Sequence, residues 1–101
     1  MGLEAAMFER EIEAYLTAQV KARGGRSYKF TSPAHRGVSD RIVIMPGQAK
    51  QPAVVWFVEL KTETGKLSPL QEAFRRDINN LGGNYVCLYG KKDVELWLAS
   101  L

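Results

Sequence analysis

Residues 54–61, VVWFVELK, constrain the fold more than any other stretch. Eight residues rich in β-branched and aromatic side chains are typical of a strand buried on both faces and are short for a helix. Side chains alternate along a strand, so Glu59 and Lys61 share one face. The chain must therefore accommodate a carboxylate and an ammonium at the end of its most apolar strand.

The flanking sequence predicts an αβββαβα order. Apolar residues recur at helical spacing over residues 4–22, ahead of a glycine pair, and strands are expected at 26–32, 40–45 and 54–61. Ser68 and Gln71 form a capping-box pattern that starts a helix over 69–81. A fourth strand at 84–90 and a terminal helix over 94–101, capped by Asp93, complete the order. Short turns favour an antiparallel meander and the long helix a parallel crossover, giving one α/β domain over 1–101 with a small mixed sheet flanked by helices.

Composition limits the classes of function. The 101 residues are 46% hydrophobic, enough for one modest core, and the net charge of +3 is compatible with a polyanionic partner without establishing one. A single cysteine, Cys87, excludes an intrachain disulfide and a CxxC zinc site. With no signal-peptide pattern and no apolar run of membrane-spanning length, we expect a cytoplasmic protein of a bacterial or phage-infected cell, without a membrane partner.

A hairpin between the second and third strands would place two carboxylates together. If Met45 lies opposite Val54, Asp40 falls opposite Glu59, and cross-strand Cβ atoms are about 4.5–5.5 Å apart. Such a pair can share a divalent ion such as Mg²⁺, and Lys61 on the same face can serve a scissile phosphate. The alternative is an ordinary ion pair between Glu59 and Lys61 on a solvated sheet end, and a register slip of one residue would undo the facing argument.

Three segments together resemble a known family. GVSDR at 37–41, ELK at 59–61 and LSPLQ at 67–71, at these distances, resemble the VRR-NUC family of the PD-(D/E)XK nuclease superfamily. The resemblance covers almost the whole chain and implies a restriction-endonuclease-like fold of three layers. Ser39 stands where the family usually has proline. Because proline acts there on backbone shape and is not a ligand, we expect activity to survive.

The resemblance also implies roles for the residues of the strand ends. Asp40 and Glu59 would bind Mg²⁺ or Mn²⁺, with the carbonyl of Leu60 as a further ligand. Lys61 would orient or activate the attacking water and stabilise charge on the phosphate.

Two further positions carry open alternatives. In the family, a glutamate of the first helix normally completes the site. We choose Glu9 for this role, with Glu13, one turn later on the same face, as the alternative. Either residue could instead lie on a solvated helix edge. Gln71 matches a family glutamine that could contact the phosphate or the water, although the capping box alone also explains it.

The implied substrate is DNA, branched as in a Holliday junction, cut by a homodimer whose two active sites act on opposite strands. Five residues around the site are expected to hold phosphates: Lys29, His35, Arg36, Arg41 and Lys66. For His35, a solvated loop position is the simpler interpretation. The alternatives are a flap or nicking nuclease, a single-strand or RNA nuclease, and a non-catalytic DNA-binding module whose site has decayed at Ser39.

Overall fold

Three helices and four strands make up the part of the chain that the computed structural model describes, residues 8–101. In chain order they are α1 Glu9–Ala22, β1 Arg26–Lys29, β2 Arg41–Met45, β3 Val54–Lys61, α2 Pro69–Asn80, β4 Asn84–Tyr89 and α3 Gly90–Ser100. The predicted αβββαβα order is confirmed. The first turn of the predicted opening helix, residues 4–7, lies outside the described residues.

The strands form one mixed sheet in the order β1-β2-β3-β4. β1, β2 and β3 pair antiparallel in succession, and β3 pairs parallel with β4 through the α2 crossover. β3 is therefore an inner strand hydrogen-bonded on both sides. This position explains the unbroken apolar run from Val54 to Val58 and fixes where the polar end of the strand lies.

The main core lies between the sheet and the pair α1 and α3. Its helical members are Ile12, Leu16 and Val20 of α1 and Val94, Trp97 and Leu98 of α3, which pack on Val43, Val58, Leu60 and Leu88 of the sheet. Trp56 meets Trp97 edge to face, with ring centroids 5.4 Å apart. One face of the sheet is thus closed by two packed helices.

α2 covers the opposite face with an aromatic cluster. The ring of Phe74 lies 5.7 Å from Phe57, 6.4 Å from Phe30 and 6.2 Å from Tyr85. Phe57 and Phe74 are both half-buried in this layer. The α1–α3 pair, the sheet and α2 thus form three layers. Glu59 and Lys61 lie two and four residues after Phe57 on the same strand, so their side chains also face α2.

Two predicted boundaries were wrong. β1 ends at Lys29 and not at residue 32. The N–H of Phe30 still donates a hydrogen bond to the Asp40 carbonyl at 2.9 Å, and after this bond the chain leaves the sheet. α3 begins at Gly90, so Asp93 lies inside its first turn and is not the N-cap residue. Its carboxylate still accepts a hydrogen bond from the N–H of Tyr89, 2.9 Å away, and so satisfies a free donor at the helix start.

Gly37 allows the loop before β2 to touch α2. Its φ is +89°, and a Cβ atom there would lie 2.5 Å from the Leu70 carbonyl oxygen. Only glycine combines this conformation with this approach. The loop of residues 30–40 is thereby seated on the N-terminus of α2, beside the end of β3.

Within residues 8–101 no helix has the length and apolar character needed to cross a membrane.

Candidate active site

Asp40 and Glu59 meet at one end of the sheet. Met45 lies opposite Val54, as predicted, and the ladder continues to Arg41 opposite Val58. Asp40 is the next residue outward, and its Oδ2 accepts a hydrogen bond from the N–H of Leu60 at 2.7 Å. The backbone of β3 thus fixes the Asp40 carboxylate beside Glu59.

Glu59 is a buried carboxylate with one unsatisfied oxygen. The residue is 1% exposed, and its Oε2 accepts a hydrogen bond from Nε2 of Gln71 at 3.0 Å. Oε1 is buried and has no hydrogen-bond partner among the described residues. Burial, and then the charge of Asp40, raise the pKa of Glu59 to about 8, while Lys61 opposes the rise. A proton or another cation is needed for both carboxylates to be stable here.

Lys61 lies on the same face as Glu59, as predicted. Its Nζ is 3.6 Å from Oε2 of Glu59, and the two side chains are 14% and 2% exposed. These exposures exclude the alternative of an ion pair on a solvated sheet end. The ammonium is held inside the site, where a charge acts more strongly than in water.

Gln71 completes the predicted capping box and also bonds Glu59, while its contact with phosphate or water stays a prediction. Its N–H donates to Oγ of Ser68 at 3.2 Å and its Oε1 accepts from the Ser68 N–H at 2.8 Å, which completes the capping box. The remaining donor, Nε2, is the group bonded to Glu59. The start of α2 therefore fixes the orientation of the amide that holds Glu59.

A cavity of about 150 Å³ opens beside Asp40. Glu9 and Glu13 of α1 both line it, together with Arg10, Lys29, Asp40 and Leu60. Glu59 does not line it, and within residues 8–101 no three His, Cys, Asp or Glu side chains form a group that could hold a metal ion. The structure places Glu9 on the cavity wall, and its role as a ligand stays a prediction.

The two α1 glutamates that line the cavity, Glu9 and Glu13, differ in their contacts. Oε2 of Glu13 forms an ion pair with Nη1 of Arg41 at 3.1 Å, whereas Glu9 is exposed and pairs with no residue between 8 and 101.

Four of the five predicted phosphate-binding residues are exposed, namely Lys29, His35, Arg36 and Lys66. Arg41 differs, because its side chain is 12% exposed and its guanidinium contacts α1 and β1. These internal bonds leave it badly placed to hold DNA, so we remove Arg41 from the candidate phosphate contacts.

Sequence reasoning did not identify the neighbours of the site on β4. Cys87 pairs with Glu59 and Tyr89 with Lys61 in the parallel register, so both side chains share the face of the carboxylates. Burial raises the pKa of the Cys87 thiol, and a hydrogen bond to Cys87, with burial, raises the pKa of Tyr89 to about 12. Both shifts disfavour the ionised forms of these groups. The positions of Cys87 and Tyr89 beside the site follow from the register between β3 and β4, which the sequence leaves open.

Comparisons with known proteins agree with this architecture. The chain matches the family model of the VRR-NUC domain over residues 12–92. It is similar to a solved structure of a VRR_NUC domain, with a TM-score of 0.80 and 27% identity, covering 90% of this chain and 94% of the other.

A phage protein is also similar in sequence. It is named "Putative nuclease p44", from Acyrthosiphon pisum secondary endosymbiont phage 1, and is 41% identical over 63 residues. The aligned segment spans 62% of this chain and 62% of the relative's length. From the family match and the shared fold, the chain belongs to the VRR-NUC family of the PD-(D/E)XK nuclease superfamily.

Proposed function

We propose that the protein is a Mg²⁺- or Mn²⁺-dependent endodeoxyribonuclease that hydrolyses phosphodiester bonds in branched DNA. The observation that carries the proposal is the buried Glu59 beside the half-buried Asp40, with the Lys61 ammonium 3.6 Å from Glu59. Membership of a nuclease family and a phage relative named as a nuclease support the same reaction class.

The residues present fit a divalent cation. Oε1 of Glu59 is buried with no donor among the described residues, and the nearby charge of Asp40 helps to raise the pKa of Glu59, so this end of the sheet favours a positive charge. Asp40, Glu59 and the carbonyl of Leu60 would hold the ion, with Glu9 reaching in from the cavity wall. When bound, such an ion supplies Lewis-acid polarisation of a phosphate oxygen and lowers the pKa of bound water.

The chain's own side chains supply the remaining chemistry. Lys61 places a positive charge where a phosphate gains negative charge during hydrolysis, and it can hydrogen-bond the attacking water. Gln71 holds Glu59 by one oxygen, at 3.0 Å, so that the other stays available. The N–H of Leu60 holds Asp40 in the same way, so both carboxylates are oriented before substrate arrives.

The decayed-site alternative finds no support at Ser39. The residue is 1% exposed, and its Oγ donates to the Arg41 carbonyl at 3.3 Å. The serine is thus buried and hydrogen-bonded, and Asp40 beside it is held by the Leu60 N–H.

Branched DNA and a homodimer are the finer parts of the proposal. A small domain with exposed cations at Lys29, Arg36 and Lys66 suits recognition of backbone shape more than base sequence. α3 uses Val94, Trp97 and Leu98 to cover the sheet and leaves Leu96 58% exposed, while Leu101, directly after the helix, is 47% exposed. These two exposed leucines are apolar side chains that a second copy would contact.

The test is cleavage of a panel containing a four-way junction, a flap, a nicked duplex, a linear duplex, single-stranded DNA and RNA. Each substrate is incubated with Mg²⁺, Mn²⁺ or EDTA. We expect cutting of the junction on opposing strands, abolished by EDTA, and a light-scattering mass of about twice the 11.3 kDa chain.

Each other outcome has a defined meaning. Binding of DNA without cleavage in any metal would replace the nuclease by a DNA-binding module. A monomer that places nicks independently on each strand would keep the chemistry and remove junction resolution, leaving a flap or nicking enzyme.

A further inference from the structure

The Arg41 guanidinium joins three elements beside the proposed site. Its Nε donates to Oγ of Ser27 at 2.9 Å and its Nη2 to the Ser27 carbonyl at 3.0 Å, both on β1. Toward α1, Nη2 donates to Oγ1 of Thr17 at 3.3 Å and Nη1 to Oε2 of Glu13 at 3.1 Å. One largely buried side chain next to Asp40 therefore bonds β1 and two successive turns of α1.

These contacts are directional. The guanidinium is planar and its donors have fixed directions, so four bonds to three residues define both the rotation and the height of α1 over β2. The Thr17 hydroxyl donates its own hydrogen to the Glu13 carbonyl at 2.9 Å, so it can only accept from Arg41. The polarity of the network is thereby set.

Glu9 lies one helical turn before Glu13, about 6 Å away along the same face of α1. Arg41 and Asp40 are adjacent in the chain, and Glu9, Glu13 and Asp40 line one cavity. Glu13 is already neutralised by Arg41, which leaves Glu9 as the glutamate available to a cation.

We propose that Arg41, with Glu13 as its counter-ion, is a positioning residue that orients α1 so that Glu9 faces the Asp40 end of the site. Glu13 is then a structural partner of Arg41 and not a ligand. This inference rests on the proposed metal-dependent function, because Glu9 matters only if a cation binds beside Asp40.

A double-mutant cycle on Mn²⁺ affinity tests whether Arg41 acts through Glu9. Calorimetry compares wild type, Arg41→Lys, Glu9→Gln and the double variant, with circular dichroism confirming the fold of each. A lysine ammonium cannot reproduce the planar fork, so we expect Arg41→Lys to weaken Mn²⁺ binding about 10-fold or more. In the Glu9→Gln background the same change should have no further effect.

Matched controls separate positioning from general damage. Arg23→Lys, at the opposite end of α1, makes the same chemical change where the side chain has only a 3.5 Å contact to the Leu98 carbonyl. It should leave Mn²⁺ affinity unchanged. If Arg41→Lys does not fold, Thr17→Val removes one partner of Arg41 at equal volume and should weaken Mn²⁺ binding by a smaller factor, again only when Glu9 is present.

The contrary results are distinct. If Arg41→Lys weakens Mn²⁺ binding equally with and without Glu9, or does not weaken it at all, the positioning role is overturned. The proposed function would still stand in that case, provided that the wild-type protein binds Mn²⁺ and cleaves DNA. Loss of Mn²⁺ binding in Glu13→Gln but not in Glu9→Gln would reverse the assignment of the two glutamates. A wild-type protein that neither binds Mn²⁺ nor cuts DNA would overturn both proposals.

Discussion

Glu59→Gln should change how the stability of the metal-free protein depends on pH. The pKa of Glu59 is raised from its ordinary 4.5 to about 8, first by burial and then by Asp40. A raised pKa contributes stability that is fully present below about pH 4.5 and is lost as the pH rises through about 8. At about 1.4 kcal/mol per pH unit, the rise corresponds to a ceiling of about 5 kcal/mol. Because the charges of Asp40 and Lys61 lie close to Glu59 and act on it in opposite directions, we expect about 2–5 kcal/mol.

Urea unfolding in EDTA at pH 5, 7 and 9 measures this loss. The free energy of unfolding of wild type should fall relative to that of Glu59→Gln as pH rises, and the variant should be the more stable protein at pH 9. Glutamine keeps an acceptor for Nε2 of Gln71, so the comparison isolates the charge. Parallel pH profiles for the two proteins would refute the argument that Glu59 is a proton-binding buried carboxylate.

Three further predictions concern packing and the helix cap. Leu16→Ala, in the core at 0% exposure, should cost about 2–5 kcal/mol by urea unfolding, whereas Leu96→Ala, 58% exposed, should cost under about 0.5; equal costs would contradict the core assignment. Gly37→Ala should destabilise more than Gly82→Ala, because both have positive φ but only Gly37 abuts backbone, at 2.5 Å; equal losses of stability would dispute that contact. Gln71→Ala should reduce cleavage more than Ser68→Ala, since both remove the cap and only Gln71 touches Glu59; equal losses would reduce Gln71 to a capping residue.

The sequence predicts the sheet and its polar end because both depend on local patterns. Period-two alternation puts Glu59 and Lys61 on one face. The hairpin register that brings Asp40 to Glu59 is an assumption at the level of the sequence, and the structure confirms it with Met45 opposite Val54. The Ser68 capping box likewise needs only four adjacent residues.

What the sequence leaves open depends on contacts between distant segments. Arg41 looks like a free cation beside Asp40, yet it is buried by residues 14, 24 and 28 positions earlier in the chain. The proposed choice of Glu9 over Glu13 rests on that contact, and so it too depends on tertiary structure. Cys87 and Tyr89 reach the site only through the parallel register across α2, which no local pattern specifies.

The start of α3 shows a competition between two local signals. Aspartate is a residue type that often serves as an N-cap, so Asp93 predicted a helix start at residue 94. Gly90, with a φ of +82°, turns the chain earlier, and the helix begins there. Asp93 then bonds back to the Tyr89 N–H from inside the first turn. Asp93 therefore binds a backbone N–H at the start of the helix, as an N-cap residue would, but it does so from inside the helix.

The central claim is that Lys61 acts in phosphodiester hydrolysis at a metal site made by Asp40 and Glu59. The direct measurement is Mn²⁺-dependent cleavage of a labelled four-way junction by wild type and Lys61→Ala, with Mn²⁺ and DNA affinities measured on the same samples. We expect cleavage to fall by about 10²–10³-fold while Mn²⁺ binding persists and most of the DNA affinity remains. Cleavage by Lys61→Ala at the wild-type rate, or cleavage by wild type in EDTA, would contradict the account.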